Sequence, residues 1–337
     1  MHDAWMSKTL KDGNVQCLAC SHLCRIGPGH KGICGVRKNI DGKLQLLVYG
    51  RAAAVNVDPI EKKPLFHFYP GTPIFSFGTM GCNFRCDFCQ NWDISQFHKD
   101  HDDGEIMEAG IPLSPEDIIK QCVENRIPSV AFTYNEPGIF FEYAYDTAKL
   151  ARENGIRTVY VSNGFENRAA LEKIKPYLDA INTDLKAFTD EYYMKICGGR
   201  IGPVKDNIKW IWENGIWQEV TTLIVTNHND SEDELKRLAD FLVNISPDLP
   251  WHISRYFPAY RMSDPPTPLK TLKMAHRIGQ EAGLNFVYVG NVLTKGLEDT
   301  VCPECGMTLV EREGYEITNR LAGNKCPKCS YGLPGRF

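Results

Sequence analysis

Eleven of the thirteen cysteines in this chain fall into three groups: Cys17, Cys20, Cys24 and Cys34; Cys82, Cys86 and Cys89; and Cys302, Cys305, Cys326 and Cys329. Thiols at such short spacings are metal ligands in form. The last group reads C-x2-C, a twenty-residue spacer, then C-x2-C, the arrangement of a zinc ribbon. Each C-x2-C turn aims two thiolates at one ion, and a module this short needs such a staple because it buries little core. Iron on the same four thiolates is the alternative. The first group, C-x2-C-x3-C-x9-C, also supplies four ligands, and both zinc and an accessory [4Fe-4S] cluster stay open there. The central C-x3-C-x2-C differs in kind. Three thiolates make a poor closed tetrahedral zinc site but suit a cubane cluster with one iron left open to chemistry; zinc would need a distant fourth ligand. Cys122 and Cys197 lie outside the groups and read as small buried hydrophobes.

Positioning such ligands takes a scaffold, and the sequence between the outer groups supplies one. Short apolar strands expected at residues 74–80, 129–134, 158–162, 180–184, 219–225 and 251–256, with 286–289 as an extra one, alternate with helical stretches such as 140–154 and 231–245. Ser114-Pro115-Glu116 is a helix start, an N-cap followed by proline. This alternation predicts an α/β fold of parallel strands, a partial (β/α)6 TIM-type barrel, with a doubly wound sheet as the alternative. Residues 1–70 read as a Cys-rich module with a hairpin within 44–57, residues 71–298 as the barrel, and residues 299–337 as a zinc-ribbon-like module separable from it.

Ligands collect where parallel strands end. Here those ends read Gly81-Cys82, Asn135-Glu136, Ser162-Asn163-Gly164, Asp184-Leu185-Lys186 and His252 to Arg255. Singly, each has an ordinary explanation as a turn or a helix cap. Five polar strand ends in succession point to one ligand. Bulk properties narrow the partners further. Thirty-eight Lys and Arg against forty-two Asp and Glu give a net charge of -4, which argues against a surface for wrapping nucleic acid. No apolar run reaches the ~20 residues needed to span a bilayer, and the first residues lack a secretory signal, so the expected location is cytoplasmic.

The motif Cys82-x3-Cys86-x2-Cys89, with Phe88 before its last cysteine, resembles that of the radical S-adenosylmethionine (SAM) superfamily. The resemblance implies a [4Fe-4S] cluster that binds SAM and, once reduced, cleaves it to a 5'-deoxyadenosyl radical that abstracts hydrogen from a substrate. A low-potential electron donor of the ferredoxin or flavodoxin type is implied with it. Within the superfamily, the strand ends resemble the pyruvate formate-lyase activating enzyme branch. Glu136, in Tyr-Asn-Glu-Pro, lies where that branch has Gly-Gly-Glu-Pro, and the resemblance makes it an acceptor for the cofactor's α-amino group. By the same likeness Asn163 faces the ribose and carboxylate, Lys186 of Asp-Leu-Lys neutralises the methionyl carboxylate, and Phe88 packs on adenine, with Asn135, Ser162, Asp184, His252 and Arg255 nearby. Segments such as Asp58-Pro-Ile-Glu-Lys-Lys-Pro, Cys89-Gln-Asn-Trp and Trp251-His-Ile-Ser-Arg-Tyr are similar to the AmmeMemoRadiSam system radical enzymes, over most of the chain from Cys17 onward. The expectation is an oxidoreductase acting on an unidentified substrate, a protein or peptide by analogy with activating enzymes, with no residue assigned to hydrogen transfer itself. Two other readings stand beside it: group transfer from cluster-bound SAM, and a zinc-dependent adaptor for nucleic acid or protein.

Overall fold

The computed structural model describes residues 1–337. Its central sheet has eight strands: β1 (Ala54–Pro59), β2 (Pro73–Gly78), β3 (Ser129–Phe132), β4 (Arg157–Ser162), β5 (Ala180–Asp184), β6 (Trp217–Ile224), β7 (Trp251–Arg255) and β8 (Val287–Gly290). They neighbour one another in chain order, and β1 and β8 do not meet, so the barrel is open along one side. β2 through β8 are parallel, whereas β1 runs antiparallel to β2. The parallel strands are short and mostly buried on both faces, as at Val130, Ala131 and Phe132, which a parallel sheet covered by helices requires.

The crossovers are α1 (Pro115–Glu124), α2 (Phe141–Glu153), α3 (Arg168–Ile174), α4 (Ile201–Glu213), α5 (Glu232–Ile245) and α6 (Leu269–Ala282). Local chemistry fixes their starts. Ser114 accepts the Asp117 N–H while Asp117 accepts that of Ser114, a reciprocal cap with Pro115 at the first helical position. Ser231 caps α5 in the same place, and that helix turns Leu235, Leu238, Ala239 and Leu242 inward. That spacing is the apolar stripe a sheet-covering helix needs.

The extra strand expected near residues 286–289 forms at 287–290 and pairs in register with β7, which gives the open barrel seven parallel strands. Two expectations change. Residues 1–70 are not a free-standing module: β1 pairs along its whole length with β2 and covers an edge that would otherwise be open to other chains. Within the expected hairpin region, Lys43–Leu46 instead pairs back with Arg37–Ile40 and with His2–Asp3. The chain then passes beneath the barrel, where Ile60, Leu65 and Phe68 pack against Ile74, Ala131, Ala180 and Trp217. The C-terminal ribbon (Thr300–Val301, Thr308–Glu313 and Glu316–Asn319) is not an independent appendage either. Cys302, Leu309, Val310 and Leu333 share one apolar cluster with Phe66, Phe286 and Tyr288 of the barrel floor. No helix is long and apolar enough to cross a membrane.

Candidate functional site

β2 delivers the central cysteines to the carboxyl ends of the strands. Residues 79–81 are clamped by Asn135, whose amide donates to the carbonyls of Thr79 (2.8 Å) and Gly81 (2.7 Å) and whose oxygen accepts the Thr79 N–H (3.2 Å). Gly81 turns at φ +88°, and a β-carbon there would lie 2.5 Å from the Cys34 carbonyl oxygen. Beyond this turn Cys82, Cys86 and Cys89 line a cavity of about 430 Å3, together with Phe88, Asn135, Glu136, Asn163, Asp184 and Lys186. That volume is in the range of small-molecule and cofactor sites. Backbone and side-chain donors face the sulfurs: the Phe84 N–H points at Cys82 Sγ (3.5 Å), and Ser95 Oγ lies 3.5 Å from Cys89 Sγ. Cys197 lies against Cys86 but outside the cavity lining, so three thiols open on the polar cavity, a donor set that fits a [4Fe-4S] core with one free iron position.

Glu136 is fully buried at the end of β3. Its carboxyl accepts the backbone N–H groups of Gly138 (3.1 Å) and Asn163 (2.8 Å), and Ser162 Oγ lies 3.1 Å from both its oxygens. Ser162 is shared with a second buried acid, Glu166, at 2.6 Å. Burial, and then the neighbouring Glu166 charge, push the Glu136 carboxyl well above the usual carboxylate range. Lys186 pairs with Asp184 at 2.9 Å and lies 5.7 Å from the centre of the Phe88 ring. Burial works against its charge, but Asp184, Cys86 and Cys197 outweigh it and raise the ammonium well above its ordinary value. The cavity thus has an acidic wall at Glu136 and a cationic one at Lys186.

The remaining expected residues separate. Asn163 lines the cavity, but its amide is engaged with Asn83 Oδ1 (2.7 Å) and the Phe165 N–H (3.0 Å), so it braces the cysteine loop. Asn135 has the same bracing role, and Ser162 lies behind Glu136. His252 points into the barrel one layer below Ser254, the cavity-lining residue two positions on; there it bonds Glu219 at 2.6 Å. Arg255 donates to the Thr267 carbonyl and packs on Phe257, away from the cavity lining. Sequence reasoning missed Tyr134, Lys62 and Lys63, which line the cavity. Tyr134 adopts φ +69°, a conformation natural to glycine, at the position where the activating-enzyme branch has one. It is held by its hydroxyl on Asp58 (2.9 Å) and by Asn91, which donates to its carbonyl (2.8 Å). Lys63, buried, pairs with the same Asp58 at 2.6 Å. The sequence signal for the two lysines is the charged run Asp58-Pro-Ile-Glu-Lys-Lys. Cys197 lies against Cys86.

At the C-terminus the four thiols converge. Cys302, Cys305, Cys326 and Cys329 have sulfurs all within 4.8 Å of one another, with Cys302–Cys329 at 3.5 Å and Cys305–Cys326 at 3.6 Å. Ligand bonds of ~2.3 Å in a tetrahedron place sulfurs about 3.8 Å apart, so the spacing of this set matches what a single ion requires.

Comparison with known proteins agrees with the geometry. The family model of the radical SAM superfamily matches residues 77–242, which run from β2 into α5. An uncharacterized protein of Methanocaldococcus jannaschii is 41% identical over 317 residues, covering 93% of this chain and 92% of its own. A pyruvate formate-lyase-activating enzyme of Clostridium pasteurianum is 26% identical over 171 residues, 49% of this chain and 67% of its own. Among solved structures, Streptococcus suis SuiB bound to its precursor peptide SuiA aligns at TM-score 0.50 and 18% identity, covering 71% of this chain and 52% of that one. At that identity the likeness speaks for the fold.

Proposed function

Since this chain belongs to the radical SAM superfamily, and is an enzyme, we propose that Cys82, Cys86 and Cys89 hold the [4Fe-4S] cluster and that Glu136 and Lys186 grip SAM beside it. The single observation that carries the reading is that all five line one cavity at the strand ends. A cluster held by these cysteines would supply, once reduced, the electron for reductive cleavage of SAM and so the means of hydrogen abstraction from the substrate. The chain's own residues prepare that step. Glu136 offers buried carboxylate oxygens to the cofactor's ammonium, an interaction strengthened by the absence of competing water. Lys186, held in place by Asp184, offers a point charge to its carboxylate. Phe88 lies beside Lys186, where the adenine would have an aromatic face to pack against. Asn135 and Asn163 hold the cysteine loop in register with these groups.

The substrate is a protein or peptide segment admitted at the open side of the barrel, in keeping with the activating enzyme to which the chain is similar. The electron comes from a low-potential ferredoxin or flavodoxin. Cys302, Cys305, Cys326 and Cys329 hold zinc, which staples the ribbon. The test is anaerobic reconstitution with iron and sulfide, then dithionite and SAM, with 5'-deoxyadenosine measured. Product is expected from the native chain and none from Cys82→Ala, Cys86→Ala or Cys89→Ala. Undiminished product from the triple variant would overturn the assignment. Deuterium appearing in 5'-deoxyadenosine from a labelled proteome fraction supports the protein substrate; label arriving only from a metabolite pool refutes it.

A further inference from the structure

We propose that Cys17, Cys20, Cys24 and Cys34 hold a second polynuclear iron–sulfur cluster, directly behind the loop that carries Cys82. The fold gathers these residues from separate turns. Cys17 ends the strand Val15–Cys17, and its N–H donates to the Cys24 carbonyl at 2.9 Å. Cys20 bridges in antiparallel fashion to Glu166 of the barrel, and the Cys34 carbonyl lies against Gly81. All four thiols line one narrow, mostly apolar cavity, with Arg37, Asn83 and His22 as its polar walls; the His22 Nε2 is taken up by the Asn83 carbonyl at 2.9 Å.

Two observations distinguish this site from a zinc knuckle. The first is spacing. Only the C-terminal quartet has three or more sulfurs within 4.8 Å of one another. The N-terminal sulfurs stand wider, as do the three central ones, and a cluster's iron–sulfide core must fit between its thiolates whereas a single ion draws them together. The same molecule therefore contains both arrangements. The second is a pair of orphaned donors. Arg37 is 1% exposed; its two terminal nitrogens are satisfied by Glu142 (2.7 and 2.8 Å), yet its Nε–H has no partner. Asn83, also 1% exposed, has an unpartnered Nδ2. Buried donors without acceptors are rare, and here both belong to residues lining the thiol cavity. Thiolate and sulfide sulfurs of a cluster accept N–H bonds, and such bonds tune clusters. Asn83 follows Cys82 in sequence, so the two metal sites are separated by a single turn of chain.

The test uses the full chain, reconstituted anaerobically with iron and sulfide, with iron, sulfide and zinc quantified and the dithionite-reduced EPR spectrum recorded. The native chain should hold about eight irons and one zinc; the Cys82→Ala/Cys86→Ala/Cys89→Ala variant should keep about four irons and a reduced-cluster signal indifferent to SAM. The Cys24→Ala/Cys34→Ala variant should keep about four irons whose signal does respond to SAM. If that variant fails to fold, the triple variant still decides. About four irons with two zincs in the native chain, or a triple variant that retains its circular dichroism but no iron, would overturn the proposal. Failure of the central assignment shows separately, as 5'-deoxyadenosine from the triple variant.

Discussion

Glu136 and Glu166 are two buried acids that share one hydroxyl, that of Ser162, and a single hydroxyl proton cannot satisfy both when both are ionised. Burial raises both carboxyls. The ligand-free site therefore holds a proton up to a higher pH than an ordinary carboxylate does, and an incoming ammonium has no use for that proton. Cofactor binding at Glu136 should release it, and the sign follows. Between the ordinary carboxylate range and the raised value of the free site, SAM affinity should increase with pH, because the proton-free form is the one that binds. Calorimetry in two buffers of different ionisation enthalpy should show that release. Glu166→Gln, which removes the neighbouring charge, should reduce it, and equal heats in the two buffers for the native chain would refute the idea. Glu136→Ala and Lys186→Ala should each weaken SAM binding by about 1.5–3 kcal/mol, the worth of a charged hydrogen bond, while leaving iron content unchanged. A titration identical to the native one in both variants would show that these residues do not share the ligand. Of this pair of acids, only Glu136 was legible in the sequence. Glu166 carries no motif and is brought in by the bend after β4, something spacing along the chain does not encode.

At the scale of elements, the sequence was most legible where periodicity and caps agree. α1 starts at the Ser114 cap, and β3, β4, β5 and β7 fall on their expected apolar runs, because each is buried on both faces and has no competing conformation. It was least legible where an element depends on a distant partner. β1 looks like half of a hairpin, since nothing in residues 54–59 says that their partner is β2; His252 looks like a strand-end ligand, although strand alternation places it a layer below the cavity, against Glu219. Arg255, at the end of the same strand, turns its guanidinium back to the Thr267 carbonyl. The turn at Gly81 shows how tightly the elements are coupled. Its φ of +88° is unfavourable for other residues, and a β-carbon would meet the Cys34 carbonyl at 2.5 Å and Val36 at 2.7 Å. Gly81→Ala should therefore push apart the loop of Cys82 and the strand entry of Cys34 together, lowering the metal content of both regions in a chain that remains folded. Iron analysis of the variant beside Gly202→Ala, where a β-carbon meets nothing within 4 Å, checks this: equal iron in the two would show that the turn tolerates the change.

Across the whole molecule, one buried polar network locks the Phe66–His67 segment and the C-terminal ribbon to the barrel floor. Glu219 accepts the N–H groups of Phe66 (2.9 Å) and His67 (2.8 Å) and bonds His252; His67 reaches the Pro334 carbonyl (2.8 Å) and Tyr288 (2.6 Å); Arg312 donates to Thr300 and to the Phe66 carbonyl. Burial alone would raise the Glu219 carboxyl, but the bond from His252, the neighbouring imidazoles and the Phe66 N–H bring it down to about 2. Burial holds the His67 imidazole down to about 4. Both groups have depressed values, so both contribute stability that is lost on acidification: His67 as pH falls from its ordinary value of about 6.5 to 4, Glu219 from about 4.5 to 2. Melting temperature should fall steadily below pH 6.5, and Glu219→Gln should flatten the lower part of that fall. Read from sequence alone, the ribbon is separable, because none of the polar strand-end residues lies beyond Asp299. The packing says otherwise. A chain cut after Asp299 would strip Cys302, Leu309, Val310 and Leu333 from Phe66, Phe286 and Tyr288, exposing three aromatic side chains that are each at most 5% exposed in the intact protein. At ~1.5–3 kcal/mol for each large side chain, the loss is roughly 5 kcal/mol or more, comparable with the whole stability of many domains. The truncated chain should therefore aggregate or melt far below the native one. Removing the metal by chelation should act in the same direction but less, since the ribbon's chain stays tethered to the floor. A truncated chain that melts within a few degrees of the native protein would show that the floor is self-sufficient and that the ribbon's contacts add little to it.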